Sequence, residues 1–200
     1  MSTDNIDNSK RRFLTAATTV VGAVGVGAVA VPFISSWMPS ARAQAAGAPV
    51  EADISKLQPG GRVVIEWRGK PVWIVRRSAQ NLKDLEKLAA SDVLLDPASK
   101  NTDQQPAYAA DKYRSQKSEN AILVGICTHL GCSPTYIPLG KPNNLGKSWV
   151  GGFFCPCHGS KFDLAGRVYS GVPAPSNLVV PPHKYLSESI IVIGIDQGVA

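Results

Sequence analysis

The sequence predicts an all-β, antiparallel head preceded by one apolar helix, and three observations predict it. Arg62–Trp67 and Pro71–Arg76 are rich in β-branched and aromatic residues and flank Arg68-Gly69-Lys70, the pattern of a hairpin. Two further apolar runs, Ala121–Ile126 and Ser148–Phe154, each lead straight into a short segment holding cysteine and histidine. Near the N-terminus, Ala16–Ile34 carries no charged residue. As a helix rising about 1.5 Å per residue, that stretch covers nearly 30 Å, the thickness of a bilayer core.

The residues around the apolar run give it a direction. Lys10-Arg11-Arg12 precedes Phe13-Leu14, and no charge follows until Arg42. A basic flank of this kind stays on the cytoplasmic side, so everything after Trp37, an expected interfacial anchor, lies outside. The paired arginines resemble a twin-arginine signal, which exports proteins already folded. A basic cluster, an apolar run and Ala41-Arg42-Ala43 also describe a cleavable signal, so the residues themselves leave cleavage and retention open. Ala23 and Gly27, four apart, either let the helix approach a neighbour closely or are simply small residues of a signal. The expected divisions are a cytoplasmic N-terminus over 1–14, an anchor over 15–37, a flexible tether over 38–50 and a periplasmic head over 51–200.

Within the tether, Pro39–Pro49 has little to bury and is rich in alanine. The head begins near Val50. Ser78–Ala90 places leucines at 82, 85 and 88, the spacing of one short helix face. Residues 91–120 are polar, contain Pro97 and Pro106, and read as an irregular surface insertion. Ser189–Ile195 supplies a closing strand. The net charge of +6 comes from scattered basic residues, never a long run, which argues against a nucleic-acid partner.

All four cysteines and two of the three histidines fall in two boxes, Cys127-Thr-His-Leu-Gly-Cys132 and Cys155-Pro-Cys-His-Gly-Ser160. Each box offers one thiolate and one imidazole, with a second cysteine to spare. Two thiolates and two imidazoles form the donor set of a Rieske centre, in which two histidines replace two cysteines on one iron of a 2Fe-2S cluster. The same donors suit a structural zinc site, which however needs neither the Gly131 and Gly159 turns nor the spare cysteines.

At every defining position the boxes match the C-x-H-x-x-C and C-x-C-H-G-S patterns of the Rieske family. From anchor to last strand, the chain resembles the Rieske iron-sulfur subunits of bacterial cytochrome bc complexes. That resemblance implies a Rieske fold with a small cluster-binding subdomain over about 121–170, one 2Fe-2S cluster, and an anchor that is retained. It implies Cys127 and Cys155 on one iron and His129 and His158 on the other, with Leu130 beside the cluster. Cys132 and Cys157 would form a disulfide joining the two boxes, in keeping with an exported head. Ser160 would donate a hydrogen bond to a bridging sulfide, and Gly171-Val-Pro-Ala-Pro175 would be a proline-rich loop against the cluster. Phe162 stands where many mitochondrial-type subunits carry a tyrosine that bonds a ligand sulfur.

The implied activity is that of a quinol–cytochrome c reductase subunit, located in the bacterial inner membrane. Its partners would be cytochrome b, cytochrome c1 and quinol within a dimeric complex. His158 would face the quinol and take its proton as the cluster takes an electron. The Rieske small subunit of a periplasmic molybdenum oxidase, such as arsenite oxidase, is the alternative. His183 lies outside both boxes and reads as an ordinary surface or core histidine.

One inference rests on composition alone. Residues 127–140, 151–160 and 171–182 contain no Lys, Arg, Asp or Glu. If they meet, they form an uncharged tip carrying Leu130, Pro134 and Pro173. Such a tip either docks against an apolar partner or is buried within the head.

Overall fold

The computed structural model describes residues 7–141 and 144–196. The chain divides into two compact units, Met1–Ala45 and Ala46–Ala200.

In the first unit, helix α1 spans Asn8–Ser35. Asp7 caps it, its carboxylate accepting from the backbone N–H groups of Ser9 and Lys10 at 3.0 and 3.1 Å. This satisfies donors that a helix start leaves open. The helix is long and apolar enough to cross a membrane. None of its residues is buried, and Val20, Val21, Val24, Val29 and Phe33 all stand exposed. A second short helix, α2 (Ala41–Ala46), lies in the segment expected to be the tether.

Among the described residues, the head is built from nine short strands in three antiparallel sheets. They are β1 (Val50–Asp53), β2 (Arg62–Trp67), β3 (Lys70–Arg76), β4 (Asn120–Val124), β5 (Thr135–Ile137), β6 (Gly152–Phe154), β7 (Lys161–Asp163), β8 (His183–Tyr185) and β9 (Ile190–Ile193). The sheet orders are β1-β9-β8, β2-β3-β4 and β5-β6-β7. The predicted hairpin is present, with Trp67 paired to Lys70 across the turn. Helix α3 (Ala79–Ala89) begins at Ser78, whose side chain and that of Asn81 cap one another's backbone N–H.

The middle sheet explains why β3 and β4 read as unbroken apolar runs. Side chains alternate between faces along a strand, and here both faces are covered. Val72, Ile74, Ile122 and Val124 join Ile191 and Ile193 of the first sheet in one core. Trp73, Val75, Ala121 and Leu123 point the other way, into a core shared with Phe153, Phe162, Cys127 and Cys155 of the third sheet and its loops. The Trp73 indole stacks on Phe153 at 4.6 Å and 18°. It also fills the space beside Gly125, where a Cβ would meet the indole ring, so the residue before Ile126 has to be glycine.

Two expectations need correction. The strand expected over Ser148–Phe154 is only Gly152–Phe154; Trp149 turns aside to pack against Tyr169 in a third small core. The 91–120 segment is irregular, with two 3-10 turns at Thr102–Gln104 and Ala107–Ala109, but it is not simply surface. Gln105, Ala109, Arg114 and Ser115 are all buried. Polar composition suggested solvent exposure, whereas Arg114 reaches Ala165 O in the turn after β7, Gln105 bonds Ser99 O and Asn101 O within the segment, and Ser115 accepts from Arg77.

Candidate metal centre

The two boxes occupy equivalent loops at the end of the head. In the first, Cys127 N–H donates to Cys132 O at 2.7 Å and Gly131 N–H to Cys127 O at 3.0 Å. In the second, Cys155 N–H donates to Ser160 O at 2.8 Å and Gly159 N–H to Cys155 O at 2.9 Å. The same turn is therefore built twice. Each closes on a glycine in the left-handed region, Gly131 at φ +84° and Gly159 at φ +79°, where a side chain is strained.

In this frame the two thiols are buried, the His129 ring is half-buried and the His158 ring is exposed. Cys127 and Cys155 are each 2% exposed, unpaired by any disulfide, and close enough for their side chains to hydrogen-bond. Burial pushes the Cys127 thiol above its ordinary pKa, while the His129 backbone N–H and the Ser160 hydroxyl pull toward the thiolate. His129 and His158 face one another edge to face, with ring centroids 4.7 Å apart. His129 is half-buried and its Nδ1 is a buried nitrogen with no hydrogen-bond partner. His158 is exposed. Two facing thiols and an inward ring nitrogen lacking any protein partner are what an iron-sulfur group requires of its site.

Cys132 and Cys157 form a disulfide across the two loops, with their Cα atoms 6.7 Å apart. The sulfurs of Cys132, Cys155 and Cys157 lie within 4.8 Å of one another. Two of those three are already bonded together, so that trio is not itself a metal site.

Ser160 is fully buried, and its Oγ accepts from Ala174 N–H at 3.1 Å. That contact draws the proline-rich loop onto the second box. The first box is tied to the same loop by Thr128, whose hydroxyl donates to Ser176 O at 2.7 Å. Sequence reasoning missed Thr128, although a hydroxyl residue between Cys127 and His129 was a visible signal. Leu130 projects outward at 72% exposed. Pro173 is also exposed, but Pro134 is buried, so the expected apolar tip loses that member to the interior. Phe162 is wholly buried in the core that contains Cys127 and Cys155. His183 is a core residue, its Nδ1 2.8 Å from Pro181 O.

Residues 49–183 match the family model "Rieske [2Fe-2S] domain", and residues 1–40 match "Ubiquitinol-cytochrome C reductase Fe-S subunit TAT signal". The iron-sulfur subunit of ubiquinol-cytochrome c reductase from Allochromatium vinosum is 56% identical over 200 residues, covering 100% of this chain and 95% of that protein. The chain belongs to the Rieske iron-sulfur subunits of ubiquinol-cytochrome c reductase. The corresponding subunit from Blastochloris viridis is 44% identical over 199 residues, covering 100% of this chain and 99% of that protein. A chain of the solved structure "Hyperthermophilic respiratory Complex III" is 30% identical with a TM-score of 0.46, covering 88% of this chain and 98% of that one.

As a Rieske subunit the protein carries one 2Fe-2S cluster, and its role is electron transfer within an oxidoreductase complex. Zinc is thereby set aside, and so is the molybdenum-oxidase alternative. An apolar helix of spanning length ahead of the head is the arrangement of a membrane-anchored subunit.

Proposed function

We propose that the cluster is held by Cys127 and Cys155 on one iron and by His129 and His158 on the other, and that the exposed ring of His158 is where quinol docks. The observation that carries this reading is the contrast within one site: thiols wholly buried, one imidazole half-buried, one exposed. The exposed residues of the two boxes and of the proline-rich loop include Leu130, Pro156, Cys157 and Pro173, none of them charged. Such a tip fits an apolar, membrane-embedded pocket better than bulk water.

The cluster supplies a one-electron acceptor whose two imidazole ligands raise its potential above that of a four-cysteine centre. This chain's residues do the rest. The solvent-facing ring nitrogen of His158, in the form that has lost its proton, would accept a hydrogen bond from a quinol hydroxyl and keep that proton when the quinol is oxidised. Leu130 and Pro173 exclude water around that hydrogen bond. The Cys132–Cys157 disulfide and the Ser160 and Thr128 bonds hold the two boxes and the proline-rich loop in register, so that His158 meets its partner in one orientation.

The subunit then works between cytochrome b, which holds the quinol, and cytochrome c1, which receives the electron, in a dimeric complex. The anchor is retained in the inner membrane with residues 1–14 cytoplasmic and the head periplasmic, and residues 38–50 form the tether. The test is a redox titration of the cluster against pH. Proton uptake at a ligand histidine requires the midpoint to fall as pH rises above the oxidised-state pKa of that histidine. A midpoint that stays level into strongly alkaline solution overturns the proton-coupled role.

A further inference from the structure

Behind the cluster loops the head buries an excess of positive charge. Arg77, Arg114 and Arg167 are 3%, 1% and 0% exposed; the carboxylate bonded among them is Asp163, at 0%, and Asp84 on α3, at 8%, is a second buried carboxylate. Arg167 Nε pairs with Asp163 Oδ2 at 2.7 Å. Arg114 donates to Ala165 O at 3.1 Å, Gln104 O at 3.1 Å and Gln105 Oε1 at 2.9 Å. Arg77 donates to Ser115 Oγ at 2.6 Å, Tyr113 O at 2.8 Å and Leu164 O at 3.4 Å. These acceptors are almost all neutral. The other carboxylates that attract Arg77 and Arg114 are Asp111, which is exposed, and Asp96, which is partly so.

Stability alone does not account for this group. Burying a cation against neutral carbonyls is expensive, and apolar side chains of similar volume often serve as well. Arg77 Nε, Arg114 Nε and a terminal nitrogen of Arg167 find no acceptor among the described residues. Arg114 also holds a left-handed backbone, φ +51°, unusual for a residue other than glycine. Burial lowers the pKa of Arg77 and of Arg114 to about 10, so both stay charged at neutral pH.

Their location suggests the purpose. The guanidiniums grip the turn that follows β7, through the carbonyls of Leu164 and Ala165 and through Asp163. The side chains of Leu164, Ala165 and Val168 on that turn pack in the same core as Cys127 and Cys155.

We propose that Arg77, Arg114 and Arg167, offset only in part by Asp163 and its neighbouring carboxylates, form a buried electrostatic element that stabilises the reduced cluster and so raises its midpoint potential. The inference rests on the ligand assignment proposed above. Reduction adds one negative charge at the site, and for a separation on the order of 10 Å the packed interior screens it less than water does. At an effective dielectric near 20, one unit charge at that distance changes the reduction equilibrium about tenfold, or about 59 mV for one electron. These are positioning residues of a purely electrostatic kind, since none touches the cluster ligands.

The experiment is an EPR-monitored redox titration, at fixed pH and in membranes, of the full-length protein and four variants. Arg77→Met and Arg114→Met remove a positive charge and should shift the midpoint down by about tenfold in the equilibrium. Asp163→Asn removes the negative charge, keeps the shape, and should shift it up. Arg77→Lys keeps the charge and should leave it near the parent value. Opposite signs are the signature, because a merely structural role would loosen the core in every variant and move all midpoints the same way. Equal-sign shifts, or unmoved midpoints in variants that carry the cluster, overturn the proposal. If the methionine variants fail to fold, Asp163→Asn and Arg77→Lys decide the matter by the same rule. Failure of the ligand assignment would look different: the parent protein itself would give no reduced-cluster signal.

Discussion

Ser160→Ala removes one oxygen that serves two partners. Its Oγ accepts the Ala174 N–H at 3.1 Å in a fully buried position, and its hydroxyl also pulls the neighbouring Cys127 thiol toward the thiolate. Loss of the acceptor strands a buried backbone donor, which costs about 1–3 kcal/mol of stability. Loss of the donor removes about 1 kcal/mol of interaction that favours the more negative, reduced sulfur. For a one-electron couple that is a fall in midpoint of roughly 40 mV. The two effects are read separately, by thermal unfolding of the protein and by redox titration of the loaded cluster. A variant that unfolds earlier but keeps its midpoint would show that Ser160 only holds the proline-rich loop, and the argument for a sulfur hydrogen bond would fail.

Other outcomes follow from the same geometry. Replacing Cys132 and Cys157 together with alanine opens a link spanning 25 residues; chain entropy puts the loss near 3.5 kcal/mol, seen as a lower unfolding temperature and easier loss of iron. Phe162→Tyr introduces a hydroxyl into the core that holds both proposed ligand thiols, and a hydrogen bond there should raise the midpoint by about 40 mV; an unchanged or lower value contradicts it. His183 has its pKa lowered, first by burial, so it folds neutral. The unfolded chain therefore binds the extra proton, and stability drains away as pH falls below about 6.5 toward the folded-state pKa. His183→Gln should flatten that part of an unfolding-temperature profile between pH 7 and pH 5.

Much of the site was legible because its chemistry is local. A thiolate and an imidazole two or three residues apart on a glycine-closed turn define a ligand loop whatever surrounds them, and both boxes have that form. The hairpin at Arg68-Gly69-Lys70 and the short helix marked by leucines at 82, 85 and 88 were legible for the same reason. What the sequence hid was long-range. Nothing near Arg114 announces that a polar insertion folds inward to donate to Ala165 O, 51 residues away. Trp149 looked like part of a strand because it is apolar and adjacent to one, yet its partner is Tyr169. Pro134 appeared to belong to the exposed tip until the turn placed it inside. Pairings across the chain decide these cases, and local pattern carries no record of them.

The most direct test of the account combines iron analysis with EPR of the reduced, purified protein during a redox titration. Cys127, Cys155, His129 and His158 holding a Rieske cluster predict two irons per chain, silence when oxidised, a one-electron signal on reduction, and a midpoint between about −150 and +300 mV. A protein that stays EPR-silent on reduction, holds zinc, or titrates near −400 mV as a four-cysteine cluster does would contradict it.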